Sequence, residues 1–326
     1  MEKLKISRDD IHLIAENSKW TETGANKILN DYVYSSAASW QRFLKILFIS
    51  LGGGFTVSGV IFFFAYNWED LDKFAKMGIM QFLVAASAAV VLYPGISLPI
   101  RQIVLTGASL LVGALFAVFG QIYQTGADAS DFFLNWTIFI TVWVIVSQFP
   151  PLWLIFIVLI NTTWLLYARQ ETGWPSVFVY AVLFLFDSGA TVLFHWLSKR
   201  KKRISVPAWF LYAVTLAAVY FSTAGWIIGI WTGLEGDIIA FGILALSSVF
   251  LYLLGMGYGW KKKNIFYPAI LSFSALLVLF SFCAETFISS VEGEVFLSLF
   301  VIVCITGMLF ALIRLQKKWK NEKMKR

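Results

Sequence analysis

Asp187 stands out as the residue whose placement asks for chemistry, because it falls near the middle of the apolar run 177–197. A carboxylate left uncompensated at the centre of a membrane span costs about 2.5–3.5 kcal/mol on insertion scales. Such a group faces a polar interior or marks an ion or proton path. The other reading is a hydrogen-bonded Asp that ties helices together through Ser, Thr or Asn partners such as Asn161. Two further polar clusters follow apolar runs: Asn67, Trp68, Glu69, Asp70 and Asp72 after the first, and Gln121, Tyr123, Gln124, Asp128 and Asp131 after the third. Carboxylate and amide oxygens with aromatic edges suit a divalent cation, or a cationic or sugar-like ligand. The plainer account makes Tyr66 and Trp68 an interfacial belt beside hydrated carboxylates.

Little else in the chain points to a reaction. The two histidines, His12 and His195, are far apart in sequence and form no cluster for a transition metal. Cys283 and Cys304 both lie in apolar runs, where small buried residues explain them better than a disulfide or metal pair. No Walker A, G-x-S-x-G, H-E-x-x-H or C-x-x-C pattern occurs. Asp70-Leu71-Asp72 is superficially like the acidic motif of membrane glycosyltransferases, but those enzymes carry longer outer loops or a soluble domain. We therefore assign no catalytic residue, no metal ligand and no cofactor from the sequence.

The elements that must hold these residues are set by composition. With 59% hydrophobic and 14% charged residues among 326, and a mean hydropathy of +0.75, the chain lies outside the range of soluble domains. Spans of about 20 residues leave no room for a large soluble catalytic domain. Ten apolar segments are read: 46–66, 77–93, 102–120, 132–149, 152–168, 177–197, 207–229, 238–259, 267–288 and 295–313. Around Pro150-Pro151 a tight turn between two spans competes with one kinked helix, and the two runs are too long together for a single span. Residues 1–45 read as a short cytoplasmic helical hairpin, with Ser7-Arg8-Asp9-Asp10 as a capping box and Thr21 capping the second helix. No cleavable signal peptide is apparent ahead of the first span. The expected fold is all-α: a polytopic helical bundle of about ten transmembrane helices, closed by a basic cytoplasmic tail at 314–326.

The net charge of +7 does not indicate nucleic acid, because the basic residues cluster beside apolar runs. With the N-terminus in the cytoplasm, 23 of the 26 lysines and arginines fall inside, and only Lys73, Lys76 and Arg169 fall outside. That asymmetry supports cytoplasmic N- and C-termini. The runs Lys199-Arg200-Lys201-Lys202-Arg203 and Lys261-Lys262-Lys263, with the tail, suit anionic lipid head groups at about 1 kcal/mol per charge; stop-transfer and topology signalling is the simpler account of them. Small-residue spacings such as Ser50/Gly54/Ser58, Ser109/Gly113/Ala117 and Gly255/Gly259 permit close helix approach.

The run GVIFFFAYNWEDLDKFAK at 59–76, the stretch Phe119-Gly120-Gln121-Ile122-Tyr123-Gln124-Thr125-Gly126-Ala127-Asp128 and the tryptophan-rich spans to Tyr167 resemble the bacterial predicted membrane proteins of domain of unknown function family 2157. The resemblance covers about the N-terminal half of the chain, including the helical leader. It implies a bacterial inner-membrane protein and brings no established activity.

Two functions are expected from this pattern. One is a small-solute or ion transporter or a sensor, with the outer carboxylates at its entrance and Asp187 in its pathway. The other is a cell-envelope scaffold or assembly factor that meets a protein partner through the N-terminal hairpin. A polytopic enzyme acting on a lipid-linked substrate is a third and weaker reading.

Overall fold

The computed structural model describes residues 11, 14–15, 20–29, 37–123, 126, 128–200, 206–232, 237–288 and 291–324. Among them every regular element is helical. In chain order these are α1 (Glu22–Ile28), α2 (Ala37–Tyr66), α3 (Lys73–Leu92), α4 (Leu98–Tyr123), α5 (Ala129–Ser147) and α6 (Pro150–Tyr167), which runs into a π turn (Ala168–Thr172). They continue with α7 (Ser176–Arg200), α8 (Ala208–Trp231), α9 (Ile238–Lys262), α10 (Phe266–Phe287) and α11 (Val291–Met324). The ten helices α2 to α11 are each long and apolar enough to cross a bilayer. The chain divides into two compact units, residues 1–122 and 123–326.

In the first unit, Thr21 caps α1 as its sequence position suggests, its Oγ1 accepting from the Gly24 N–H at 3.3 Å. The Ser7–Asp10 capping box lies outside the described residues. Helix α2 starts at Ala37, nine residues before the apolar segment, because Trp40, Arg42 and Lys45 continue the helix without adding hydropathy. Along α2, Phe48, Phe55 and Phe62 are exposed by 66%, 74% and 73%. This stripe at seven-residue spacing meets acyl chains in a bilayer, where exposure of apolar side chains is favourable. The other side of α2 approaches α4, with a Cβ at Gly53 placed 3.6 Å from Ile103 and one at Gly107 placed 3.8 Å from Val57. Asp72 ends the first polar stretch as the N-cap of α3, its Oδ1 accepting from the Phe74 and Ala75 N–H groups at 2.7 and 3.1 Å.

In the second unit, the alternative at Pro150 resolves into two helices. α5 ends at Ser147, Gln148 turns into the left-handed region at φ 46°, and Pro150 and Pro151 open α6. Further on, Gly173 at φ 58° closes the π turn and Lys263 at φ 51° closes α9. The core gathers around α7, α8 and α9, where Leu183, Phe184, Ala218, Phe221 and Leu244 are buried together. Close approach is built into this packing: Cβ atoms at Gly255 and Gly259 of α9 would lie 2.9 Å from Leu271 and 2.7 Å from Pro268 of α10. α11 continues past its apolar run to Met324, so the basic residues after Arg314 stand on a helix. That extension is fastened to the end of α9 by Lys263 Nζ at 2.6 Å from Glu322 and by Trp319, buried, edge-on to Trp260.

Candidate functional site

Asp187 is fully buried in α7, and the side chain that meets it is Asn161 of α6. The Asn161 amide donates to both carboxylate oxygens, at 3.2 Å to Oδ1 and 3.0 Å to Oδ2. No cation accompanies the pair among the described residues, so one amide nitrogen supplies the cross-helix compensation. Asn161 is itself buried, and its Oδ1 has no hydrogen-bond partner there. A buried amide oxygen in that state is an acceptor open to a proton donor, a water or a cation. The Asp187 carbonyl takes the Thr191 hydroxyl at 2.9 Å, the ordinary way in which a helical Thr satisfies itself.

Beside Asp187, the adjoining face of α7 carries Phe184, Ser188, Thr191 and His195, spaced at about one turn, and all four line a cavity of about 230 Å³ between α7, α8, α9 and α10. His195 stands edge-on to Tyr258 with ring centroids 5.1 Å apart, and its buried Nε2 has no partner among the described residues. His195 therefore borders a partly open space among these helices.

The polar cluster after α2 is partly consumed by structure. Asn67 Nδ2 donates to the Phe63 carbonyl at 2.9 Å and so completes the end of α2. Trp68 lies under the Lys76 ammonium, 4.1 Å from the ring centroid, and Lys76 is buried. This is a cation–π contact in which the ring shields a charge that would otherwise be costly. Asp72 is engaged in capping, while Glu69 and Asp70 are exposed. Gln121, also exposed, lies next to the end of the first unit.

Asp128 and Asp131, both exposed, belong to the second unit, and Gln124 lies outside the described residues. The neighbour of this stretch is the π turn after α6. The Asp128 carboxylate beside Glu171, with the charge of Asp131, holds the Glu171 carboxyl above the ordinary carboxylate range, and the Ser130 N–H donates to Gln170 Oε1 at 3.1 Å. Sequence reasoning had not joined Gln170 and Glu171 to this cluster, and no local spacing connects positions 40 residues apart. Among the described residues no three His, Cys, Asp or Glu side chains come together in a way that would hold a metal ion.

Sequence reasoning also passed over a set of hydroxyls inside the apolar helices. Thr223 Oγ1 is 2.6 Å from Ser274 Oγ, which is 2.8 Å from the Tyr252 hydroxyl. Trp226 Nε1 donates to Ser248 at 2.9 Å, and Trp231 Nε1 donates to Ser281 at 2.9 Å. The available signal was the recurrence of Ser274 and Ser281 seven residues apart, on one face of α10.

Among the described residues, ten helices long and apolar enough to cross a bilayer, with polar groups buried among them, are those of a polytopic helical membrane protein. The sequence model of the family described as predicted membrane protein (DUF2157) matches residues 18–153, the N-terminal part of the chain. That bears out the resemblance read from the Asn67–Trp68 and Gln121–Asp128 motifs. The match ends near the start of α6, so Asn161, Asp187 and all later helices lie beyond it. No curated protein and no solved structure matches the chain.

Proposed function

We propose that the protein is a small-solute or ion transporter or sensor of a bacterial inner membrane, with both termini cytoplasmic and Asp187 as the polar centre of its working path. The observation that carries this reading is the Asp187–Asn161 pair: a carboxylate fully buried between apolar helices, met by one amide and bordered on the same helix by a cavity. A carboxylate kept in such surroundings is a natural point for taking up and releasing a proton or cation. The exposed carboxylates Glu69 and Asp70 of the first unit, and Asp128 and Asp131 of the second, are each proposed to face the extracytoplasmic side. At the opposite ends of the helices, Arg200 lies over Trp196 and Arg314 over Phe310, ring contacts that suit residues at the level of anionic lipid head groups.

The test is Asp187→Asn, which preserves the side-chain shape and removes the charge. In proteoliposomes loaded with a pH-sensitive dye, wild type is expected to dissipate an imposed proton gradient faster than empty vesicles. The variant is expected to lose at least about tenfold of the protein-dependent rate, the effect of removing a group that carries about 1.4 kcal/mol of the barrier. Equal rates for the variant and wild type, with the same monodisperse elution, would remove Asp187 from the pathway.

A further inference from the structure

The helices α7 to α10 hold two cavities that meet at one layer of hydroxyl groups. The first, of about 230 Å³, lies toward the helix ends that carry Lys199 and Lys261–Lys263; the second, of about 590 Å³, lies toward the opposite ends and includes Glu285. Tyr252 lines both. On α8 the first cavity ends at Val219 and the second begins at Trp226, with Thr223 between them; on α10 they are bounded by Leu271 and Ala275, with Ser274 between them. The hydrogen-bonded series Thr223–Ser274–Tyr252 therefore ties three helices together where the two spaces meet.

The second cavity has the chemistry of a site for an organic cation. Its aromatic members include Trp226, edge-on to Phe241 at 5.0 Å, and the Trp226 ring is fixed by its bond to Ser248. Indole and phenyl faces attract a cation, and do so more strongly where water is excluded. Its one charged lining residue is Glu285, exposed in the last turn of α10, with no cation paired to it among the described residues. Val249, Leu279 and Phe282 on its rim are exposed apolar side chains. In a bilayer that rim faces acyl chains, so a guest enters from the lipid phase as well as from water. An aromatic, apolar chamber with one carboxylate at its mouth selects a lipophilic cation over a neutral or anionic amphiphile.

We propose that α7 to α10 form a route for lipophilic organic cations, which bind between Trp226 and Glu285 and pass the Tyr252 layer into the cavity beside His195. This rests on the transporter reading and names its cargo class, yet it is decided by different residues. Loss of proton flux in Asp187→Asn concerns that reading alone, whereas the experiment below reads binding at Glu285 and passage at Tyr252.

The probe is ethidium, a planar aromatic cation, with the full chain in nanodiscs and empty nanodiscs as background. Wild type is expected to bind it saturably. Glu285→Gln is expected to weaken binding about tenfold, while Glu285→Asp retains it. Trp226→Leu is expected to weaken binding and Trp226→Phe to retain it. Glu285 is exposed, so its substitution leaves the fold intact, and elution as a single species checks this for every variant. In proteoliposomes loaded with DNA, Tyr252→Ala is expected to raise ethidium entry severalfold over wild type. Binding no better than to empty nanodiscs, equal affinities in wild type, Glu285→Gln and Trp226→Leu, or entry unchanged by Tyr252→Ala would each overturn the proposal.

Discussion

At the scale of single residues, the Asp187–Asn161 contact raises the question of how much of its presence is structural. Both partners are buried, and the amide gives its hydrogens to a carboxylate that no cation accompanies among the described residues. Cross-helix polar contacts in membranes are worth about 0.6 kcal/mol on average and about 1.7 at most, because the unfolded chain in the bilayer also finds partners. A pair kept only to join α6 and α7 would show coupling within that range. We expect a double-mutant cycle of Asn161→Ala and Asp187→Ala, measured by reversible unfolding in mixed micelles, to give a coupling near 1 kcal/mol. Each single variant is expected to cost more than its share of the double variant, since truncating one partner strands the other. Strict additivity would mean that the bond contributes nothing to holding the helices, leaving function as the reason for the carboxylate.

Elements behave differently, because here the packing of backbone against backbone decides. α9 and α10 touch through Gly255 and Gly259, and at Gly259 a methyl group would press on Pro268 at 2.7 Å, Tyr267 at 3.0 Å and the Asn264 carbonyl at 3.2 Å. None of these is the far end of a flexible side chain, so the helices must separate to admit it. Gly257, two residues away on the same helix, has nothing within 4 Å of the same position. Gly259→Ala is therefore expected to destabilise the second unit by about 1–3 kcal/mol, the range for overpacking a close contact. Gly257→Ala is expected to be neutral or slightly stabilising, since alanine is the better helix former. Thermal unfolding followed by intrinsic fluorescence separates the two; equal midpoints would show that α9 and α10 approach less closely than the glycines allow. Such spacing was legible beforehand at Gly255/Gly259. At Ser50/Gly54/Ser58 the same pattern leaves Gly54 with nothing within 4 Å, because a small residue permits contact but does not create it.

On the scale of the whole molecule, the helices were readable from hydropathy because a bilayer demands long apolar runs whatever their partners. Their true ends were less so: α2 begins at Ala37 and α11 reaches Met324 through charged residues that form helix well but score as polar. Asn161 was readable as a partner for Asp187 because amides are rare inside spans. The Thr223–Ser274–Tyr252 series was not, since most membrane Ser and Thr bond their own helix, as Thr215 and Thr163 do, and type alone does not tell which reach across. The distribution of charge makes a prediction that depends on none of these contacts. Cys283 and Cys304 are free and half-buried, so a background with both changed to serine accepts single reporters at exposed sites. By the positive-inside asymmetry, Glu69→Cys and Glu171→Cys are expected to react in intact cells with a membrane-impermeant maleimide, while Lys199→Cys and Lys317→Cys react only after lysis. The reverse pattern would place the acidic ends of the helices in the cytoplasm, turning the proposed extracytoplasmic carboxylates to the inside and with them the mouth of the cavity at Glu285.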